Sequence, residues 1–301
     1  TDLPNRFLFM DRFGEEIWRA KKFRQKLGIL YIDIDRFNHI NDMFGHDVGD
    51  LLLVVVANRL KEIQPKGELM ARLGGDEFVI LFPDIKGKQD LEIIAQKIKG
   101  SLSTPILVDK IPLYITASLG ISLYPDHGKN GDELLKRADI ALNSVKKRGR
   151  NGFVIFEEEM EERSLESMLL ENELKKAIEN NQFYLEYQPK VELSTGRIVG
   201  VEALARWNHP ELGIISPDIF VPLAESTGLI VPLGYLILRE VCIQNQAWQK
   251  QGLPPIHISV NLSGRQLLEP NFFDAICDIL KETGMEAQWL EFEITESFLA
   301  D

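Results

Sequence analysis

The sequence predicts two domains in tandem, a mixed-sheet unit of strands and helices followed by the front part of a parallel α/β barrel. Three observations carry that reading. Over residues 1–156 apolar runs alternate with helical patterns, and Gly74-Gly75 separates two apolar runs as a hairpin turn would. Residues 157–180 then shift to an acid-rich stretch free of glycine and proline. From residue 183 onward strand and helix patterns alternate. With 301 residues the chain holds enough material for two cores.

Taken in order, residues 27–34 read as a strand and 37–44 as a short helix. Residues 47–64 carry an apolar stripe at helical spacing. Leu69-Met70-Ala71 and the run 78–82 form the arms of a hairpin, with both glycines supplying the positive φ angles of a tight turn. A helix over 90–102, a long strand over 113–123, a helix over 131–147 and a closing strand over 153–156 complete the unit. The stretch 157–180 is expected to be a joining helix, because Leu165, Leu169, Leu170 and Leu174 recur at helical spacing. The assigned boundaries are therefore 1–156 for the first domain, 157–180 for the linker and 181–301 for the second domain. There, strands at 183–188 and 197–204 precede helices at 217–226 and 234–251, a strand at 256–261, a helix at 264–283 and a strand at 289–294. Apart from the opening pair this is the β-α repeat of parallel folds, including the (β/α)8 barrel. Such a barrel takes roughly 250 residues, and residues 171–301 amount to about half of that. A partial barrel is expected.

Composition narrows the function. Hydrophobic content of 45% and charged content of 27% are those of an ordinary soluble protein. A net charge of −12 argues against a general nucleic-acid binder, so no nucleic-acid polymer is expected as partner. A local metal still permits a nucleotide pocket. Cys242 and Cys277, the only cysteines, lie in apolar segments and read as core residues of a reducing compartment. No apolar run approaches the roughly 20 residues that span a bilayer. A cytoplasmic location is expected, with any membrane anchor of the parent protein outside this chain. The abrupt start at Thr1 without methionine reads as a piece of something longer.

Two carboxylates, Asp76 and Glu77, follow the Gly-Gly turn at once. Acids crowded beside a tight turn repel each other, and a cation or a polyphosphate with its metal gives them a use. In Leu30-Tyr31-Ile32-Asp33-Ile34-Asp35 alternation puts Asp33 and Asp35 on one face at a strand end. Asp35 as a helix cap and Asp33 as a solvated acid is the plain alternative. Convergence of Asp33 and Asp76 on one divalent cation is the functional one. Lys146 and Arg150, at i and i+4, would share a helix face suited to a polyphosphate, or form a solvated basic helix end.

The run Asp33 to Asp42, then Gly45-His46-Asp47, Gly49-Asp50 and Gly74-Gly75-Asp76-Glu77-Phe78, resembles the GGDEF family of diguanylate cyclases. Thr1 to Arg6 resembles that family's opening motif, with Asp2 where glycine is usual. Ser118-Leu119-Gly120-Ile121, Arg137-Ala138-Asp139 and Lys146 to Asn151 match its end. The resemblance implies an α+β, nucleotide-cyclase or polymerase-palm-like fold. It implies that Asp33, Asp76 and the Ile34 carbonyl hold Mg2+ on GTP, with Glu77 beside them and Asp76 and Glu77 catalytic. Asn41 and Asp50 would read guanine, Lys146 and Arg150 would hold the terminal phosphates, and Gly74 and Gly75 would wall the pocket. The implied reaction is attack of one GTP 3′-hydroxyl on the α-phosphorus of another, expelling pyrophosphate, in a homodimer with the two domains face to face. Two positions depart from the pattern: Asn38 where active cyclases usually carry lysine, and Asn143 where tyrosine is usual. Pro65-Lys66-Gly67-Glu68 stands where the product-inhibition motif would be, so no feedback inhibition through that site is expected.

In the second half Glu202-Ala203-Leu204, Asn261 and Glu293 lie at or near the ends of the assigned strands, where barrel ligands gather. Tyr187-Gln188-Pro189, Glu202 to Arg206, Val260 to Ser263 and Glu293-Ile294-Thr295-Glu296 resemble the EAL family of cyclic di-GMP phosphodiesterases. The resemblance implies Mg2+ or Mn2+ on Glu202, Asn261 and Glu293, with Glu202 catalytic. Gln188 and Arg206 would contact cyclic di-GMP, and Glu296 would brace a loop. The family also uses later acids and a lysine, so this half is expected to carry part of a site that hydrolyses cyclic di-GMP to linear pGpG. Residues and resemblance together read as a bifunctional cyclic di-GMP turnover protein, with an upstream sensory domain in the parent. The alternative from another class is a GTP-binding regulator that makes no product. A third reading is an inactive cyclic di-GMP receptor.

Overall fold

The computed structural model describes residues 1–63, 69–109 and 111–294, which divide into two units, Thr1–Ser164 and Leu165–Asp301. The first unit runs α1 (Arg6–Phe23), β1 (Lys26–Ile34), α2 (Phe37–Phe44), α3 (His46–Ile63), β2 (Leu69–Gly74) and β3 (Glu77–Ile85). It continues through α4 (Lys88–Leu102), β4 (Ile106–Val108), β5 (Ile111–Leu113), β6 (Ala117–Tyr124), α5 (Gly131–Lys147) and β7 (Phe153–Ile155). Its sheet has the order β2-β3-β1-β6-β7, antiparallel except for the parallel β6-β7 pair. The hydrophobic β1 sits at the centre, buried along its length after Lys26.

Strand alternation sorts β1 between two cores. Leu30, Ile32 and Ile34 pack with Leu52, Val56 and Leu60 of α3 and Leu91, Ala95 and Ile98 of α4. Leu27, Ile29 and Tyr31 pack with Phe9 and Phe13 of α1 and Leu134, Ala138 and Leu142 of α5. This is an α+β layer with helices on both sheet faces. Gly120 sets how closely α5 lies on β6. A Cβ there would stand 1.9 Å from the Ala138 carbonyl oxygen and 2.3 Å from the Leu142 nitrogen, so no larger residue fits without moving backbone.

Helix α6 (Glu158–Glu179) carries the division between the units. The second unit continues with β8 (Phe183–Val191), β9 (Ile198–His209), β10 (Gly213–Ile215), α7 (Pro217–Thr227), α8 (Ile230–Lys250), β11 (His257–Leu262), α9 (Gly264–Leu267), α10 (Phe272–Thr283) and β12 (Leu290–Ile294). β8 pairs antiparallel with β9, while β9, β11 and β12 are parallel neighbours. The five strands form an open sheet, and no barrel closes among the described residues. Trp207, fully buried, stacks with Phe183 and meets Phe220 edge-on, which seats α7 on the sheet.

Several elements differ from the sequence reading. α1 has no counterpart in it, although Asn5 caps this helix by accepting from the Leu8 N–H at 3.0 Å. The strand expected over 113–123 is two: β5 turns back onto β4, and β6 begins afresh at Ala117. The helix expected over 264–283 breaks between α9 and α10 around Glu269-Pro270, since proline cannot continue the hydrogen-bond ladder. Cys242 is buried, but Cys277 is exposed, because α10 turns Phe272, Ile276 and Ile279 inward instead. Leu174 is buried and Leu170 partly so, while Leu165 and Leu169 are exposed, so the leucine stripe of α6 is not one buried face.

Candidate functional sites

The register of β1 places Asp33 opposite Glu77 of β3 on one side and Ser118 of β6 on the other. Asp33 and Asp35 therefore share the α5-side face, as alternation requires, and both are buried. Because Gly120 lets α5 lie close to the sheet, its last turn reaches this strand end. The Lys146 ammonium meets Asp33 Oδ2 at 2.6 Å. The Asp33 carboxyl is raised to about 6: burial pushes it up most, Lys146 pulls it down, and Asp76 and Asp35 also push it up. A buried acid that is costly to ionise and faces a second acid gains from a divalent cation. The oxygen donors here, Asp33, Asp76 and the Ile34 carbonyl, have the chemistry for one. Among the described residues no group of three or more His, Cys, Asp or Glu side chains is placed to hold a metal by itself. Phosphate oxygens would complete such a set.

The hairpin turn is Gly75-Asp76. Only Gly75 has positive φ, at 44°; Gly74 ends β2 and pairs with Glu77 across the turn. The expectation that both glycines adopt left-handed backbone is thus corrected. Arg72 braces the turn by donating from Nε to the Gly75 carbonyl at 2.8 Å. Glu77 accepts from the Tyr31 hydroxyl at 3.0 Å. Burial first, and Glu77 second, raise the Tyr31 phenol above its ordinary range and also raise the Asp139 carboxyl. Tyr31, a partner of Glu77, was not singled out by sequence reasoning, although it stands two residues before Asp33 on the same strand face.

On the other side of the site α2 and α3 meet at Asn41 and Gly49. Asn41 Oδ1 is buried and accepts no hydrogen bond, an exception among buried polar atoms. A Cβ on Gly49 would stand 1.9 Å from it. Asp50, exposed, is the next residue along α3. The Asn41 amide and the exposed Asp50 carboxylate are hydrogen-bonding groups of the kind a purine edge uses.

Arg150 does not share a helix face with Lys146. α5 ends at Lys147, and Gly149, Arg150 and Asn151 all have positive φ (109°, 64° and 48°). Asp35 does not cap α2 either: its carboxylate accepts from Thr116, Ser118 and the Asn151 N–H. Asn38 is exposed on α2, and Asn143 donates to Asp139 at 3.2 Å. Asp2, in glycine's usual place, has φ 53°, a conformation glycine adopts without strain. The segment Pro65 to Glu68 lies outside the described residues.

In the second unit, pairing aligns Gln188, Glu202, Ser259 and Glu291 in one row and Asn261 with Glu293 in another. Successive rows of one face thus hold the expected ligands Glu202, Asn261 and Glu293. The Asn261 amide donates to Glu202 at 2.7 Å. Lys190, absent from the sequence reading, pairs with Glu293 and donates to Ser259. That pairing raises the Lys190 ammonium and lowers the Glu293 carboxyl. The signal for Lys190 was its place two residues after Gln188, on the same face. Arg206 pairs with Glu186 at 2.7 Å. A cavity of about 380 Å³ brings Arg206 and Asn261 together with Leu204, Phe220 and Phe272. Two carboxylates and an amide oxygen are hard donors that fit Mg2+ or Mn2+. Thr295 and Glu296 lie outside the described residues.

Known proteins match both units. A family model described as "Diguanylate cyclase, GGDEF domain" matches residues 1–152, and one described as "EAL domain" matches residues 171–301. The chain is 40% identical over 297 residues to the bifunctional diguanylate cyclase/cyclic di-GMP phosphodiesterase MucR of Pseudomonas aeruginosa, covering 99% of this chain and 43% of that protein. It is 36% identical over 301 residues to the cyclic di-GMP phosphodiesterase PdeR of Escherichia coli, covering 100% of this chain and 45% of that protein. The chain thus spans less than half the length of these relatives. Among solved structures, the GGDEF domain of YfiN (TpbB) from Pseudomonas aeruginosa is similar with a TM-score of 0.51 and 37% identity, over 52% of this chain and 98% of that one. A shortened form of the same protein comprising only the GGDEF domain gives 0.53 and 36%, over 55% and 96%.

Proposed function

Because the chain belongs to the GGDEF family of diguanylate cyclase domains, here continued by an EAL domain, we propose that its first unit makes cyclic di-GMP from two GTP. The observation that carries this reading is the ion pair of buried Asp33 with half-buried Lys146 at the strand end, beside the Gly75-Asp76 turn. Asn41 and Asp50 orient the guanine, Asn41 through its side-chain amide and the exposed Asp50 carboxylate by accepting from the N–H edge. Lys146 and Arg150 neutralise the terminal phosphates. Asp33, Asp76 and the Ile34 carbonyl hold Mg2+, which when bound stabilises charge on the transferring phosphate and acidifies the attacking hydroxyl. Glu77, restrained by Tyr31, adds a carboxylate at the edge of that site. The 3′-hydroxyl of each GTP attacks the α-phosphorus of the other, so two phosphodiester bonds form and two pyrophosphates leave. Each domain presents one GTP, so the active form is a homodimer. In the whole protein the EAL domain hydrolyses cyclic di-GMP to linear pGpG, with Glu202, Asn261 and Glu293 on the metal and Gln188 and Arg206 on the dinucleotide. An upstream sensory domain sets the balance.

The test is incubation of the purified chain with GTP and Mg2+. Cyclic di-GMP appears, and Asp76→Asn and Glu77→Gln abolish it. One observation favours a second reading: Asn38, exposed on α2, supplies no cation where active relatives usually have lysine. In that reading GTP binds to the first domain, persists, and regulates the EAL domain. Saturable GTP binding without product would establish it.

A further inference from the structure

We infer that Asp35 is a positioning residue that holds the Arg150 loop in place for the triphosphate. The inference rests on the proposed GTP site and adds a residue that touches neither nucleotide nor metal. Asp35 is buried, and two hydroxyls and a backbone N–H donate to its carboxylate. Its Oδ1 accepts from Ser118 Oγ at 2.7 Å, and its Oδ2 from Thr116 Oγ1 at 2.6 Å and the Asn151 N–H at 3.0 Å. Its own N–H donates to the Thr116 carbonyl at 2.9 Å. Three donors from two segments thus converge on one carboxylate.

What Asp35 restrains is a loop with little local preference for its shape. Arg150 and Asn151 are consecutive non-glycine residues in the left-handed region, which side chains disfavour. Such backbone persists where its surroundings over-determine it. The restraints here are the Arg150 N–H on the Val145 carbonyl at 3.1 Å, the Leu119 N–H on the Gly152 carbonyl at 2.9 Å, and the Asn151 N–H on Asp35. The last of these ties the residue after Arg150 to the strand that carries Asp33, whose carboxylate holds Lys146. Asp33 and Asp35, two residues apart on one face, thereby fix both cations meant for the phosphates.

The test compares nucleotides that differ in phosphates on the full chain. The ligands are 3′-deoxy-GTP, which lacks the attacking hydroxyl and is not consumed, and guanosine, both with Mg2+. Asp35→Ala is expected to weaken 3′-deoxy-GTP about tenfold, the worth of one charge-assisted contact, and to leave guanosine unchanged. Arg150→Ala should cause a similar loss, and the double variant should lose no more than either alone. Asp35→Asn, whose amide oxygen still accepts from Asn151, should restore most of the affinity. Equal losses for guanosine and 3′-deoxy-GTP, or additive losses with Arg150→Ala, would overturn the inference. Absence of 3′-deoxy-GTP binding by the unaltered chain would instead defeat the proposed function. Should Asp35→Ala not fold, amide exchange in the unaltered chain decides the point. The Asn151 N–H, in an exposed loop, is expected to be protected, and exchange at the free rate refutes its tie to Asp35.

Discussion

Substituting Gly49 by alanine separates recognition of guanine from stability of the fold. Gly49 is buried in α3, and a Cβ there would stand 1.9 Å from Asn41 Oδ1, 3.1 Å from Asn41 Cγ and 3.2 Å from Phe37 Cζ. Unbonded carbon–oxygen contacts lie at about 3.3 Å or more, so the Asn41 amide must retreat by more than about 1 Å. Phe37 is itself buried and has little room to give. Alanine gains about 1 kcal/mol over glycine in a helix interior. Forcing Asn41 off its rotamer costs about 0.5–1.5 kcal/mol. These nearly cancel, so folding stability should change by less than about 1 kcal/mol. Guanine binding is expected to lose a hydrogen bond worth about 1–3 kcal/mol, which is about 5- to 150-fold in affinity. Calorimetric titration with 3′-deoxy-GTP measures the loss. ATP, which presents a different base edge, serves as control and should bind no worse than before. Undiminished affinity for 3′-deoxy-GTP in a folded Gly49→Ala protein would refute the role given to Asn41.

Three further outcomes are expected. Lys146→Ala leaves the buried Asp33 without its ammonium, and stability should fall by about 1–2 kcal/mol while 3′-deoxy-GTP affinity falls about tenfold, read by thermal denaturation and titration. Gly120→Ala drives a methyl into the α5 backbone, which cannot step aside as a side chain can, so urea denaturation should show a loss of about 3 kcal/mol. His127 gives a pH dependence. Burial first, and nearby Lys88 second, lower its imidazole to about 4, and its Nδ1 accepts from the Leu123 N–H, which requires the neutral ring. The unfolded chain takes up this proton near pH 6.5 and the folded chain only near 4, so stability rises with pH across that window. Between about pH 7 and pH 4 the contribution is about 1–2 kcal/mol after allowing for partial exposure. The urea midpoint of the unaltered chain should therefore fall more steeply on acidification than that of His127→Gln.

Much of both sites was legible because their residues are set by local chemistry. The alternation of Leu30 to Asp35 puts both acids on one face from period 2 alone, and Ser118, opposite Asp33 across the sheet, donates to Asp35. The bounds of α2 and α5 follow from apolar spacing and from Asn130, which caps α5 by accepting from the Glu133 N–H. What failed did so where long-range contacts compete with local pattern. Lys146 and Arg150 have helical spacing, yet the chain leaves the helix at Lys147, and Arg150 is held by Val145 and, through Asn151, by a carboxylate 116 residues away. Asp35 looked like a cap because caps are common before helices; three donors from distant segments claim it instead.

The sequence by itself determined the two-domain order, the acids at the end of β1 and the glycine turn, since each rests on residue type at short spacing. Tertiary structure alone decided which groups pair. Lys146 falls on Asp33 because Gly120 lets α5 lie against β6, and Lys190 falls on Glu293 because β8 and β12 share a face across β9 and β11. Partner choice depends on register and on how closely layers pack, and these are properties of the assembled sheet that no short window of sequence contains.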